Sequence, residues 1–65
     1  MGFWSNVAEY LGDRFEEYAN NEVYKRGFVD GYKGQPRLAS LLNNEFYNAG
    51  YNDGQSARHS GVTFE

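Results

Sequence analysis

Few side chains in this sequence could do chemistry, and their spacing is informative mainly for what it rules out. The one histidine, His59, has no organised serine or acidic partner near it, so a proton relay has no scaffold. There is no cysteine, which removes a thiolate nucleophile, disulfides and thiolate zinc sites together. One histidine also cannot make a histidine metal cluster. The run Gly27-x-x-x-Gly31-x-x-Gly34 has the glycines of a phosphate-binding loop but not the strand that should precede one. Carboxylates are more plentiful. Asp30 and Asp53, like Glu22 and Glu45, hold equivalent positions in a repeat, and by converging on a pseudo-twofold axis they could hold a hard cation. The ordinary role for such residues is exposure to solvent or complementing a helix N-terminus. These residues give no catalytic group, no metal and no cofactor, and a non-enzymatic protein is expected.

Binding is the chemistry left, and charge gives its candidates. Residues 9–22 carry Glu9, Asp13, Glu16, Glu17 and Glu22 against Arg14 alone. Residues 25–37 carry Lys25, Arg26, Lys33 and Arg37 against Asp30 alone. The basic group could touch phosphates locally, and the acidic stripe could mimic phosphates or face a basic protein. An ordinary solvated surface accounts for either. The net charge of −3 argues against generic DNA binding, which depends on neutralising phosphates.

A repeat must position these groups. Asn20-Asn21-Glu22-Val23-Tyr24-Lys25-Arg26-Gly27-Phe28-Val29-Asp30-Gly31 aligns without a gap on Asn43-Asn44-Glu45-Phe46-Tyr47-Asn48-Ala49-Gly50-Tyr51-Asn52-Asp53-Gly54, with seven of twelve positions identical. The register extends back through Arg14/Arg37, Phe15/Leu38, Tyr18/Leu41 and Ala19/Leu42. Such a repeat implies two copies of one supersecondary unit packed together. In each copy the apolar and small residues recur at three and four, which predicts helices over about 14–32 and 37–57. Each Asn-Asn pair is a point where a helix could break and be capped again. Gly34 suits a left-handed helix end, and Pro36 suits the first position of the next helix. So short a link predicts an antiparallel helical hairpin.

Each glycine inside a helix costs about 1 kcal/mol relative to alanine. The spacing of Gly27, Gly31 and Gly34, echoed by Gly50, Gly54 and Ala57, supplies a compensation, because small residues let two backbones approach closely. Tyr24, Phe28, Tyr47 and Tyr51 then close over that seam. The alternative is that the glycines mark loops, with much less helix. At the N-terminus, Phe3, Trp4, Val7 and Leu11 share one face of an amphipathic helix that ends near Gly12. The fold expected is all-α, a single domain over 1–58 with a flexible tail over 59–65.

With 65 residues a single core is marginal, so stability must come from tight helix packing, self-association or a target. Six Tyr, five Phe and one Trp are more aromatic surface than so small a core fully hides, and Tyr and Trp favour interfaces. No segment approaches the roughly 20 apolar residues of a membrane span, and there is no basic leader followed by an apolar run. A cytoplasmic protein is expected.

Gly27-Phe28-x-x-Gly31-x-x-Gly34, followed by Pro36 and then by Tyr47-x-x-Gly50-Tyr51-x-x-Gly54, resembles the ribosome modulation factor family over about residues 20–57. The resemblance implies a compact helix pair that docks on the small ribosomal subunit near the 3′ end of its RNA and silences translation. Gly27, Gly31, Gly34, Pro36, Gly50 and Gly54 would then shape the fold, and Lys25, Arg26, Lys33 and Arg37 would be RNA contacts. Three features depart from the family: a shorter inter-helix segment, Gln35-Pro36 in place of Cys-Pro, and an acidic chain. The same glycine-aromatic pattern also occurs in small phage-encoded proteins.

Three functions are therefore expected in turn. The first is a small regulatory protein that binds a macromolecular machine, a ribonucleoprotein such as the ribosome being favoured. The second is an acidic phage-type inhibitor that blocks a host or defence nuclease or polymerase. The third is a homodimeric interaction module.

Overall fold

Asn21 and Asn44 decide where the two longest helices begin. In the computed structural model, which describes residues 2–64, each sits in extended backbone and its side-chain oxygen accepts from main-chain amides of the first turn. Asn21 takes Tyr24 N at 3.0 Å, and Asn44 takes Phe46 N at 2.9 Å and Tyr47 N at 3.2 Å. These caps satisfy amide donors that a helix leaves unpaired at its start. Four helices result: α1 (Phe3–Leu11), α2 (Asp13–Tyr18), α3 (Glu22–Lys33) and α4 (Glu45–His59), with a short 3-10 turn at Ala39–Leu41 and no strand among the described residues.

The chain is all-helical as expected, but its helices are more divided than the periodicity predicts. The span 14–32 is broken at Asn20-Asn21 into α2 and α3. The span 37–57 yields α-helix only from Glu45, because Leu38, Leu41 and Leu42, although helically spaced, belong to a connection that holds only the 3-10 turn at Ala39–Leu41. Gly34 closes α3 in the left-handed region (φ 74°), with its amide bonded back to the last turn. Pro36 does not open a helix: residues 35–38 are extended and irregular. Gly12 joins α1 to α2 at φ 62°, a conformation that suits glycine.

The antiparallel expectation is overturned. A β-carbon on Gly27 would collide with the main chain at Tyr47 and Tyr51, and one on Gly31 with Tyr51 and Gln55. Reciprocally, one on Gly50 would meet Tyr24 and Phe28, and one on Gly54 would meet Phe28 and Tyr32. Four residues further along α3 therefore means four residues further along α4, so the helices run parallel. The connection over residues 34–44 carries the chain back to the start of α3 before α4 begins. The glycines lie in helices rather than loops, and each stands against a carbonyl of the other helix. That is the geometry of Cα–H···O contacts in close-packed helix pairs.

Around this seam lies an aromatic core. Val7, Phe15, Tyr24, Phe28, Tyr47 and Phe64 are buried, with Phe28 near the rings of Phe3, Trp4, Tyr24, Tyr32 and Phe64. Phe64 corrects the expected flexible tail over residues 59–64; Glu65 lies outside the described residues. After α4, Gly61 turns the chain (φ 75°), Tyr32 Oη donates to Val62 O at 2.8 Å, and Asn6 Nδ2 donates to Phe64 O at 2.6 Å. The Phe64 ring lies 5.1 Å from Tyr32 and 5.6 Å from Phe3, filling the gap between α1 and α3. A polar, glycine-bearing sequence is thus held down by one apolar anchor. Among the described residues no helix is long and apolar enough to cross a membrane.

Candidate functional site

Parallel packing puts equivalent residues of the repeat opposite one another and makes their bonds reciprocal. Tyr47 Oη donates to Asp30 Oδ2 at 2.6 Å, and Tyr24 Oη donates to Asp53 Oδ2 at 2.5 Å. Each carboxylate also meets an arginine, Arg26 Nε at 3.4 Å from Asp30 and Arg14 Nε at 2.8 Å from Asp53. Burial, then the hydrogen bond to Asp53, push the Tyr24 phenol well above its ordinary value, and Tyr47 is raised by burial and by Asp30. The Arg14 guanidinium is raised by its hydrogen bond to Asp53. At neutral pH the two phenols are therefore protonated donors. The clusters act as clamps between helices, and neither is poised as a general base. Asp30 and Asp53 each face their own clamp instead of converging on a shared cation. Glu22 and Glu45 occupy the first turns of α3 and α4, the ordinary helix-start position.

Three members of the predicted basic cluster, Lys25, Arg26 and Lys33, share the outward side of α3, and Arg37 stands apart. Arg37 lies against α4, its guanidinium carbon 4.1 Å from the Tyr51 ring centroid, and it donates to Asn48 Oδ1 at 2.6 Å and Asn52 Oδ1 at 3.0 Å. Lys25 sits over the Trp4 ring at 5.4 Å. Arg26 is tied to Asp30 yet 58% exposed, and Lys33 is exposed. Arg26 and Lys33 share an open groove of about 510 Å³ with Val29, Pro36 and Leu38. A second groove of about 300 Å³, lined by Trp4, Glu22, Lys25, Arg26 and Val29, adjoins it through Arg26 and Val29.

The acidic residues are arranged differently. Glu9, Asp13, Glu16 and Glu17 are all exposed on α1 and α2, and none forms an ion pair with a described residue. The seam residues Gly27, Gly31, Gly50, Gly54, Tyr24, Phe28, Tyr47 and Tyr51 are buried as the spacing requires, while Gly34 stays at the exposed helix end. Tyr51 Oη additionally donates to Gln35 O and pins the connection.

Two surface features escape the sequence reading. Leu42 is 49% and Phe46 39% exposed, although their spacing matches a buried helix face. The Trp4–Val29 groove joins residues from α1 and α3, and only one of its ends could be read locally. Its signal was the stripe of Glu22, Lys25, Arg26, Val29 and Lys33, which lies opposite Gly31 on a helical wheel.

Compared with protein families, curated proteins and solved structures, the chain shows no match.

Proposed function

We propose that this is a small non-enzymatic regulatory protein of the cytoplasm that attaches to a macromolecular machine handling nucleic acid. Its acidic α1–α2 flank would occupy a basic surface of that machine. One observation carries the reading: the chain's cations are largely engaged within the fold while its outward carboxylates are not. Arg14 and Arg26 hold buried-side aspartates, Arg37 is bonded to α4, Lys25 covers Trp4, and Arg58 donates to Tyr32 O at 3.1 Å. Glu9, Asp13, Glu16 and Glu17 face solvent without such partners. An acidic flank on a rigid support attracts and competes for sites built for phosphates.

A ribonucleoprotein target engaged through basic side chains, as the resemblance to the ribosome modulation factor family implies, is the second reading. The exposed Arg26 and Lys33 beside the groove favour it. Self-association as a homodimer is supported by Leu42 and Phe46 at the surface.

The test is affinity capture from bacterial lysate, with and without ribonuclease, using two charge-reversed variants. With the acidic flank as the binding face, changing Glu9, Asp13, Glu16 and Glu17 to Lys abolishes capture of a ribonuclease-resistant protein. Changing Lys25, Arg26, Lys33 and Arg37 to Glu leaves that capture in place. Loss only in the second variant, with ribosomal RNA among the captured material, overturns the acidic-flank reading in favour of the ribonucleoprotein. A stable dimer by sedimentation with no captured partner supports the third.

A further inference from the structure

The two copies of the repeat part company at one pair of positions. Ala19 and Val23 of the first copy are half-buried, and Ala19 packs against the core. Their equivalents in the second copy, Leu42 and Phe46, are larger and yet 49% and 39% exposed. Folding does not account for adding apolar bulk where less of it is buried, since the stabilisation comes from area removed from water. Phe46 stands edge-on to Tyr18, ring centroids 6.1 Å apart, and Tyr18 is half-buried and stacks on Tyr24 at 4.5 Å. Asn48 Nδ2 donates to Leu42 O at 2.8 Å, which ties the last part of the connection to α4. Tyr18, Leu42 and Phe46 thus make an apolar ledge at the end of the molecule where α3 and α4 both begin.

The rim of the ledge is acidic. Glu17 adjoins Tyr18, Glu45 adjoins Phe46, and Glu22 is the equivalent of Glu45 on the parallel helix beside it. All three are exposed, and none forms an ion pair with a described residue. The cations of the flanking segments are engaged elsewhere, Arg14 by Asp53 and Arg37 by the Tyr51 ring, Asn48 and Asn52. We infer that the ledge anchors a cationic segment of a partner protein. A bulky apolar side chain of that segment seats against Phe46 and Leu42, and its lysines or arginines meet Glu17, Glu22 and Glu45. Charge complementarity selects this occupant from the others. RNA and anionic lipid would bring phosphates to a rim of carboxylates. A second copy of this chain would bring the same rim, because an isologous contact centred on Phe46 sets each Glu45 near its own counterpart. The inference rests on the acidic-flank reading, to which it adds an apolar anchor and a protein as the partner.

The probe is a short synthetic peptide in which lysines flank two leucines at i and i+4, titrated into the isotope-labelled full chain. Its control carries serine at both anchor positions with the charge unchanged. The expected result is saturable amide chemical-shift changes concentrated on residues 17–23 and 42–47, with the control bound about tenfold more weakly. Phe46→Ser should weaken the leucine peptide about tenfold and Leu42→Ser severalfold. Leu42→Ser, at the more exposed position, should melt close to the parent, so that its loss of binding is not a loss of fold. Glu45→Lys should weaken both peptides. Equal binding of the two peptides, or indifference to both serine variants, overturns the ledge as an anchor and leaves the acidic flank standing on its charge alone. The flank reading fails separately, when its own charge-reversed variant still captures the lysate partner. Absence of saturable binding, or shifts centred on other residues, also overturns the ledge. So does an oligouridylate RNA bound there as tightly as the peptide. Shifts of the ledge residues with protein concentration alone would place a second copy on it, and would overturn it too.

Discussion

The two tyrosine–aspartate clamps place a hydroxyl and a carboxylate where neither can find water easily. Tyr47→Phe leaves Asp30 buried with Arg26 alone, and the loss of a hydrogen bond to a charged group is expected to cost about 1.5–3 kcal/mol in urea unfolding. The same clamps set an alkaline limit. The Tyr24 and Tyr47 phenols titrate above their ordinary value in the folded state, so the protonated form is the one that folding favours. Their contribution is fully present below the unfolded phenol value near 10 and is lost as pH rises through the folded value. The melting temperature should stay flat with respect to these groups through neutral pH and fall above about pH 10. Phenolate absorbance should show these two tyrosines ionising only together with unfolding. These partnerships were hidden in the sequence although their members were not. Asp30 and Asp53 were recognisable as equivalents, but which tyrosine each would meet depended on the relative direction of the helices.

At the scale of elements, the seam between α3 and α4 tolerates no β-carbon. Gly50→Ala would gain about 1 kcal/mol of helix propensity, yet its methyl group would lie against the Tyr24 carbonyl and within 2.9 Å of Phe28 N. Because those neighbours are main chain, the helices must separate, and a net loss of several kcal/mol, read as a sharply lowered melting temperature, is expected. An unchanged melt would contradict backbone-to-backbone packing. The glycine faces and the two Asn-Asn break points were legible, since three-and-four spacing and Asn capping are local properties. The starts at Glu22 and Glu45 were not, because the periodicity ran back to about residues 14 and 37. Nor was the direction of α4. Leu38, Leu41 and Leu42 imitate a helix face, so residues 34–44 read as a tight turn followed by helix when they form a return connection. The same imitation concealed the exposed Leu42, which belongs to the connection, while Phe46 lies in α4 itself and is exposed because it is in the first turn, away from the glycine seam.

For the whole molecule, closure depends on the segment that composition made least conspicuous. Removing residues 61–65, or changing Phe64→Ala, empties the space between Phe3, Tyr10, Phe28 and Tyr32. A buried Phe→Ala change costs about 3–5 kcal/mol, comparable to the roughly 3–10 kcal/mol that a domain of this size has in all. Either change should leave the far-ultraviolet helix signal largely lost at 37 °C. Retention of native helix would show that Phe64 is dispensable. Nothing in Ser60-Gly61-Val62-Thr63 announces such an anchor, because its partners Phe3, Tyr10, Phe28 and Tyr32 lie about half the chain or more away. The parallel seam has a consequence of another kind. Two like halves facing each other through reciprocal contacts have the symmetry of a dimer, and here one chain contains both. Tethered through residues 34–44, each half meets the other at an effective concentration of order millimolar, however dilute the protein is. Assembly of the seam is thereby uncoupled from expression level, and a cell holding only a few copies would have them folded as fully as one holding thousands.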